Sequence, residues 1–171
     1  MEKMLFKDYL VSIYACEDSI DWVGEKSLKE CWKTCNRPYW MMWLYAKNNP
    51  DKMISVKISL FFSKLCLPIF EKKFPNDKRP RACVEAIEGW LKEPNEGNRQ
   101  SCEKAARAAE AASLSDGKAA NAARAASDAA WAVSDSAYPA YWAKEATYWA
   151  SKSIEAAYSE LYQRITSKNR N

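Results

Sequence analysis

Cys31 and Cys35 stand four residues apart, a spacing that puts two thiols on one face of a helix and could supply two ligands to a metal. The chain has no histidine, so a zinc site would need cysteines or carboxylates brought from separate helices. None of the cysteines forms a CxxC pair. Cys16, Cys31, Cys35, Cys66, Cys83 and Cys102 all fall within apolar helical patterns and read as reduced core thiols. We expect no metal and no cofactor. General acid–base chemistry would use paired carboxylates, and Glu85 with Glu88 or Asp18 with Asp21 are the close pairs on helical stretches. Such pairs belong more often to solvated faces. No serine or cysteine has an imidazole to activate it, and no Gly-rich loop could cradle a phosphate. These residues form no catalytic constellation, and we expect no enzyme.

Binding is better provided for. Arg37 precedes Pro38, and Arg79 and Arg81 flank Pro80, so all three stand at expected helix starts. Helix N-termini present unpaired amides and with arginine beside them could hold an anion. The plainer reading is that these arginines brace the Pro-started helices. The chain has eight tryptophans, of which Trp40, Trp43, Trp90, Trp142 and Trp149, with Tyr138, are the candidates to line a pocket or interface. Aromatic residues and arginine carry binding energy out of proportion to their number. Filling the core is the competing role for the tryptophans as a set.

The elements that would position these residues are all helical. Phe6, Leu10, Ile13, Cys16 and Ile20 recur at helical spacing, predicting one helix over residues 5–22 that Gly24 stops. Ser27 and Glu30 form a capping box before a short helix, residues 28–35. Pro38 opens a helix that carries Trp40 and Trp43, and Asn48-Asn49-Pro50-Asp51 ends it. A longer helix covers residues 51–73, with Ile54, Ile58, Phe61, Phe62, Leu65 and Ile69 expected inward and Pro68 kinking or splitting it. Pro80 begins the next, with Val84, Ile87, Trp90 and Leu91 on one stripe. Residues 92–98 read as a surface connection.

Beyond it, Cys102 to Gln163 holds 22 alanines in 62 residues. Alanine favours helix but buries little area, so helices this rich in it should approach closely, with large rings filling the space left over. Three helices are expected, over residues 99–112, from Asp116 or Gly117 to Val133, and over residues 139–165. Loops at Leu114-Ser115-Asp116-Gly117 and residues 134–138 join them. Trp142, Ala146 and Trp149 share one face of the last helix, and Tyr141, Glu145 and Tyr148 the adjacent one. The sum is an all-α fold, a bundle of about seven or eight helices in a single domain over residues 1–171. An aromatic-rich front half, residues 1–93, would support alanine-rich helices over residues 98–167, which are too poor in large aliphatics for a core of their own.

The net charge of +4 is spread evenly, with about +2 on each side of residue 97. Lys72, Lys73, Lys78, Arg79 and Arg81 make the densest basic stretch, short of the stripe that nucleic-acid binders present, so no nucleic acid is expected as partner. Trp40 to Ala46 is the longest apolar neighbourhood read from the sequence, shorter than the roughly 20 residues of a membrane span, and the N-terminus lacks an apolar signal region. We expect no membrane association and a cytoplasmic location.

Three segments carry a resemblance. Cys16 to Trp22, then Glu30-Cys31-Trp32-Lys33-Thr34-Cys35-Asn36-Arg37-Pro38-Tyr39-Trp40-Met41-Met42-Trp43-Leu44, resembles the front motif of helical immunity proteins of bacterial polymorphic toxin systems. Arg79-Pro80-Arg81-Ala82-Cys83-Val84-Glu85-Ala86-Ile87-Glu88-Gly89-Trp90 is similar to their second motif, and an alanine-rich tail follows. The chain departs at Pro38-Tyr39, where a small residue and an acid would be expected, and in a tail without histidine. The resemblance implies a protein that binds and neutralises a toxin or effector. Because the chain is slightly basic, a toxin with an acidic face fits its charge better than a basic nuclease. Two further readings remain open from the residues. One is a pocket of Trp and Arg that sequesters a small anionic or nucleotide-like ligand, as a counter-defence protein would. The other is a structural homo-oligomer in which alanine faces pack between copies.

Overall fold

The fold is taken from a computed structural model that describes residues 5–48, 51–114 and 117–168, with side chains up to Glu160. The expectations that involve Asn49, Pro50, Ser115 and Asp116, and those on residues 1–4, lie outside the described residues. Among the described residues there are nine helices and no strand: α1 (Phe6–Ser12), α2 (Glu17–Val23), α3 (Leu28–Thr34), α4 (Pro38–Asn48), α5 (Lys52–Lys73), α6 (Arg79–Lys92), α7 (Glu96–Ala112), α8 (Lys118–Ser134) and α9 (Pro139–Lys168).

The ninth helix corrects the expected count, because residues 5–22 do not form one helix. After α1 the chain closes a Schellman turn: the Tyr14 amide donates to Val11 O at 3.1 Å and the Ala15 amide to Leu10 O at 3.0 Å. Tyr14 takes the left-handed conformation this requires, with φ 59°, the only non-glycine residue described with positive φ. Its ring stands 92% exposed, so the local hydrogen bonding, not ring burial, sets this turn. Gly24 ends α2 as expected, its amide donating to Ile20 O.

Other starts follow the sequence. Ser27 and Glu30 form both arms of the capping box on α3, the Ser27 amide donating to Glu30 Oε2 at 2.7 Å. Asp51 caps α5 by accepting from the Ile54 amide at 2.8 Å. Pro38 opens α4, and Pro80 sits in the first turn of α6. Two expectations are corrected here. Pro68 lies inside α5 and does not split it, and α7 begins at Glu96, because Asn95 accepts from the Asn98 amide at 2.8 Å and caps it three residues early.

α8 is the centre of the molecule. It packs against α5, α6, α7 and α9, and its alanines from Ala119 to Ala132 are buried along with Ser127, Val133 and Ser134. The helices around it come close enough for short side chains to bridge backbones. Ser63 Oγ donates to Ala125 O at 2.9 Å, Ser127 Oγ to Ala106 O at 3.0 Å, Cys83 Sγ to Ala126 O at 3.1 Å and Ser153 Oγ to Lys118 O at 2.7 Å.

This closeness shifts the inner face of α5 from the one expected. Ser55, Val56, Ser59, Leu60, Ser63, Cys66, Leu67 and Phe70 are buried and Ile54, Phe61 and Leu65 are exposed, while Ile58, Phe62 and Ile69 are half-buried and pack against the core as expected. A face of serines admits α8 at short range, and the bulkier side chains are displaced to the flanks. The tryptophans follow the same rule. Trp90 is buried, whereas Trp131, Trp142 and Trp149 are half-buried along the edges of α8 and α9 rather than between them.

α5 also corrects the reading that no stretch is long and apolar enough to cross a membrane, since an 18-residue window within it has a mean hydropathy of 1.7. Here it is a core helix, with its serine face against α8 and further contacts to α6 and α9.

The front helices attach at one side. Met42 of α4 is buried against Ala140 and Ala143 of α9. Leu10, Val23 and Cys31, one from each of α1, α2 and α3, form a small cluster against Trp43 and Leu44 of α4. That arrangement leaves a depression between α1–α4 and α9.

Candidate functional site

The depression is an apolar cleft of about 500 Å³. Its wall is a run of touching rings that crosses three helices. Trp22 of α2 meets Trp40 of α4 at 6.0 Å between centroids, Tyr39 meets Trp40 at 6.1 Å, and Tyr39 stands edge-on to Tyr148 of α9 at 5.3 Å. Trp43, Met41 and Leu44 of α4 and Leu10 and Val23 of α1 and α2 complete the apolar lining. Leu28 and Tyr14 stand exposed at its edge.

Few polar groups face into it. The Ser19 hydroxyl is spent on Cys16 O at 2.7 Å, and Lys144 and Glu145 pair with each other. Cys16, Cys31 and Cys35 line the cleft, and all six cysteines are free thiols. Burial holds the Cys31 thiol above the usual range. Among the described residues no three cysteines or carboxylates gather as metal ligands. The arrangement offers stacking and apolar contact, with no acid, base or nucleophile aimed at a common point.

Cations sit over several of these rings. The Arg37 guanidinium lies 4.3 Å from the Trp40 ring, the Lys26 ammonium 4.7 Å from Trp22 and the Lys47 ammonium 5.6 Å from Trp43. Lys152 lies 5.7 Å from Tyr148 and is paired with Glu155 at 3.0 Å.

Of the candidate residues read from the sequence, the structure brings Arg37, Trp40 and Trp43 together here. The others stand elsewhere. Arg79 forks onto Asp77, at 2.6 Å, and Arg81 onto Glu71, with Nη2 to Oε2 at 2.7 Å, so both brace the turn between α5 and α6. Trp90 is in the core beneath Lys52. Trp142 donates from Nε1 to Asp135 at 2.8 Å and stacks near Trp131, Trp149 lies under Arg124, and Tyr138 is exposed at the start of α9. Sequence reasoning passed over Trp22, Tyr39 and Tyr148 as site residues. Tyr148 had a signal, because it lies on the Tyr141-Glu145-Tyr148 side of α9, which is the side the cleft borders.

Residues 56–170 match a family model described as "Imm-5 like putative immunity protein". The chain belongs to this family. The Imm-5 like match runs from within α5 to α9, so it takes in the Arg79–Trp90 segment and the alanine-rich helices on which the resemblance partly rested. The Cys16–Leu44 segment lies before it. Of the cleft's lining the Imm-5 like region supplies Lys144, Glu145 and Tyr148, and α1–α4 supply the rest. No curated protein and no solved structure matches the chain.

Proposed function

We propose that the chain is a non-enzymatic immunity protein that binds a cognate toxin and neutralises it. Membership of the Imm-5 like family over residues 56–170 carries this reading. The chemistry of the cleft supports it, because its lining is mostly aromatic and aliphatic, built for contact rather than reaction. Expression of the toxin encoded beside this gene, with and without the chain, tests the proposal. Growth arrest should follow from the toxin alone and be relieved by co-expression. Arrest that persists at equal expression of the two proteins would refute it.

A second reading is favoured by one observation, the Arg37 guanidinium over Trp40, a ring of the cleft wall. This pairing could stack a base and hold its phosphate. A nucleotide of that kind would raise the melting temperature by several degrees at saturating concentration. The α8 alanines are buried within one chain, so a homo-oligomer would have to use other alanine faces, such as that of Ala105, Ala108 and Ala111 on α7.

A further inference from the structure

Arg124 and Asp128 of α8 stand four residues apart on one helix face, with about 5–6 Å between Cβ atoms at that spacing. They do not pair. The Arg124 guanidinium lies instead 4.5 Å from the Trp149 ring of α9, and among the described residues neither side chain has an ion pair or a hydrogen bond. Both belong to the side of α8 turned from the core, where Asn121 and Trp131 are half-buried and Arg124 is exposed. Asp128 is nevertheless only 8% exposed.

An arginine beside a carboxylate on its own helix would ordinarily take it, because a charge-assisted hydrogen bond is stronger than contact with a ring at the surface. The place of Arg124 over Trp149 is accounted for by a carboxyl that carries no charge. Burial favours that form and pushes the Asp128 pKa up to about 8, with Glu145 of α9 and Glu110 of α7 adding to the effect. The other bases on this side are engaged. Lys144 of α9 pairs with Glu145, and Arg107 of α7 lies over Trp131 and pairs with Glu103 at 3.0 Å. Of these three cations, Arg124 alone has no carboxylate among the described residues.

Loss of the Asp128 proton reverses the balance. A buried carboxylate without a partner is costly, and the exposed guanidinium one turn earlier comes within reach of it by side-chain rotation, with no change of backbone. We propose that Arg124 is a proton-driven side-chain switch, lying over Trp149 while Asp128 is protonated and turning onto Asp128 when that carboxyl ionises. Pairing favours the ionised form, so the change falls at or below about pH 8. On its acid side the α8–α9 surface shows a guanidinium laid over an indole. On its alkaline side the Trp149 face is bare and the charge of Arg124 is closed in an internal pair. The switch needs this chain alone and stands apart from the immunity reading.

A nuclear magnetic resonance titration of the full chain from about pH 5 to about pH 10 tests it. The signals to follow are the Asp128 carboxyl carbon and the Arg124 δ-methylene protons, which the ring current of Trp149 shifts upfield while the guanidinium lies over it. Both should move with one midpoint, the Arg124 protons losing their upfield shift as the carboxyl ionises. In Asp128→Asn the upfield shift should persist over the whole range. In Arg124→Gln, a change at an exposed position, the carboxyl should titrate about one pH unit higher or more, a tenfold loss of acidity, because its partner is gone. Arg124 protons that keep their shift while the wild-type carboxyl titrates would overturn the switch. So would an upfield shift lost with pH in Asp128→Asn, an unmoved carboxyl midpoint in Arg124→Gln, or a wild-type carboxyl already ionised at the acid end with Arg124 away from the ring throughout.

Discussion

Asp128 is the one ionisable carboxyl buried among the described residues, 8% exposed on the central helix α8. Burial pushes its pKa up from 3.8 to about 8; Glu145 of α9 and Glu110 of α7 raise it further, and Arg124 and Lys144 oppose them. In the folded chain the proton is held up to about pH 8, whereas the unfolded chain loses it near 3.8. The unfolded state thus binds fewer protons across that window, and this residue makes stability fall as pH rises from about 4 to about 8, then level off. Asp128→Asn should remove that slope and stabilise the protein at pH 7 by roughly 1–3 kcal/mol, because the amide takes up no proton on folding. Urea denaturation at pH 5, 7 and 9 measures both effects. A variant no more stable than the wild type at pH 7 would show that Asp128 is ionised there and compensated by Arg124 and Lys144.

At the scale of the element, α9 is started by a side chain rather than by its proline alone. The Asp135 carboxylate accepts from the amides of Ala137 at 2.8 Å and Tyr138 at 3.2 Å, and from Trp142 Nε1. The Trp142 bond is the main reason its pKa lies below the usual 3.8, so its contribution is present above that value and is lost as pH falls through the lower folded one. Asp135→Ala should cost about 1–2 kcal/mol in denaturant melts at pH 7, in the range of a lost cap. α8 makes a second case. Ala126 is fully buried, and its carbonyl accepts from Cys83 Sγ. Ala126→Leu should destabilise by about 1–3 kcal/mol or prevent folding, because neighbouring backbones already bridge across it. These elements also show what the sequence could and could not reveal. Helix starts were legible at the capping box of Ser27 and at Pro38 and Pro80, but the cap at Asn95 was passed over. Tyr14 was not legible, because nothing in an exposed tyrosine signals a left-handed turn. The inner face of α5 was misread for a related reason: periodicity favours the largest apolar residues, but packing against an alanine helix favours the smallest. Within the site, Trp40, Trp43 and Arg37 were legible as types at a helix start. Their convergence with Trp22 and Tyr148 depends on how α2 and α9 meet α4, which local pattern does not encode.

For the whole molecule, five helices from α5 to α9 form a frame closed around alanine, and four short helices hold an aromatic cleft against its side. The frame spends its serines and alanines on close helix approach, and most of its arginines pair on the surface. In the front helices the rings of the cleft wall are half-buried, and Lys26, Arg37 and Lys47 stack on Trp22, Trp40 and Trp43. With a net charge of +4, the chain suits an acidic face on its partner, and raising the salt concentration should slow association more than it speeds dissociation. We propose that this chain silences a toxin by binding it. Titrating a candidate toxin from a neighbouring gene with the purified chain, and following the toxin's own activity, tests this. Activity should fall in proportion to added chain and vanish near one equivalent, with a complex of both proteins recovered by size-exclusion chromatography. Full toxin activity at excess chain, with no complex recovered, would contradict it.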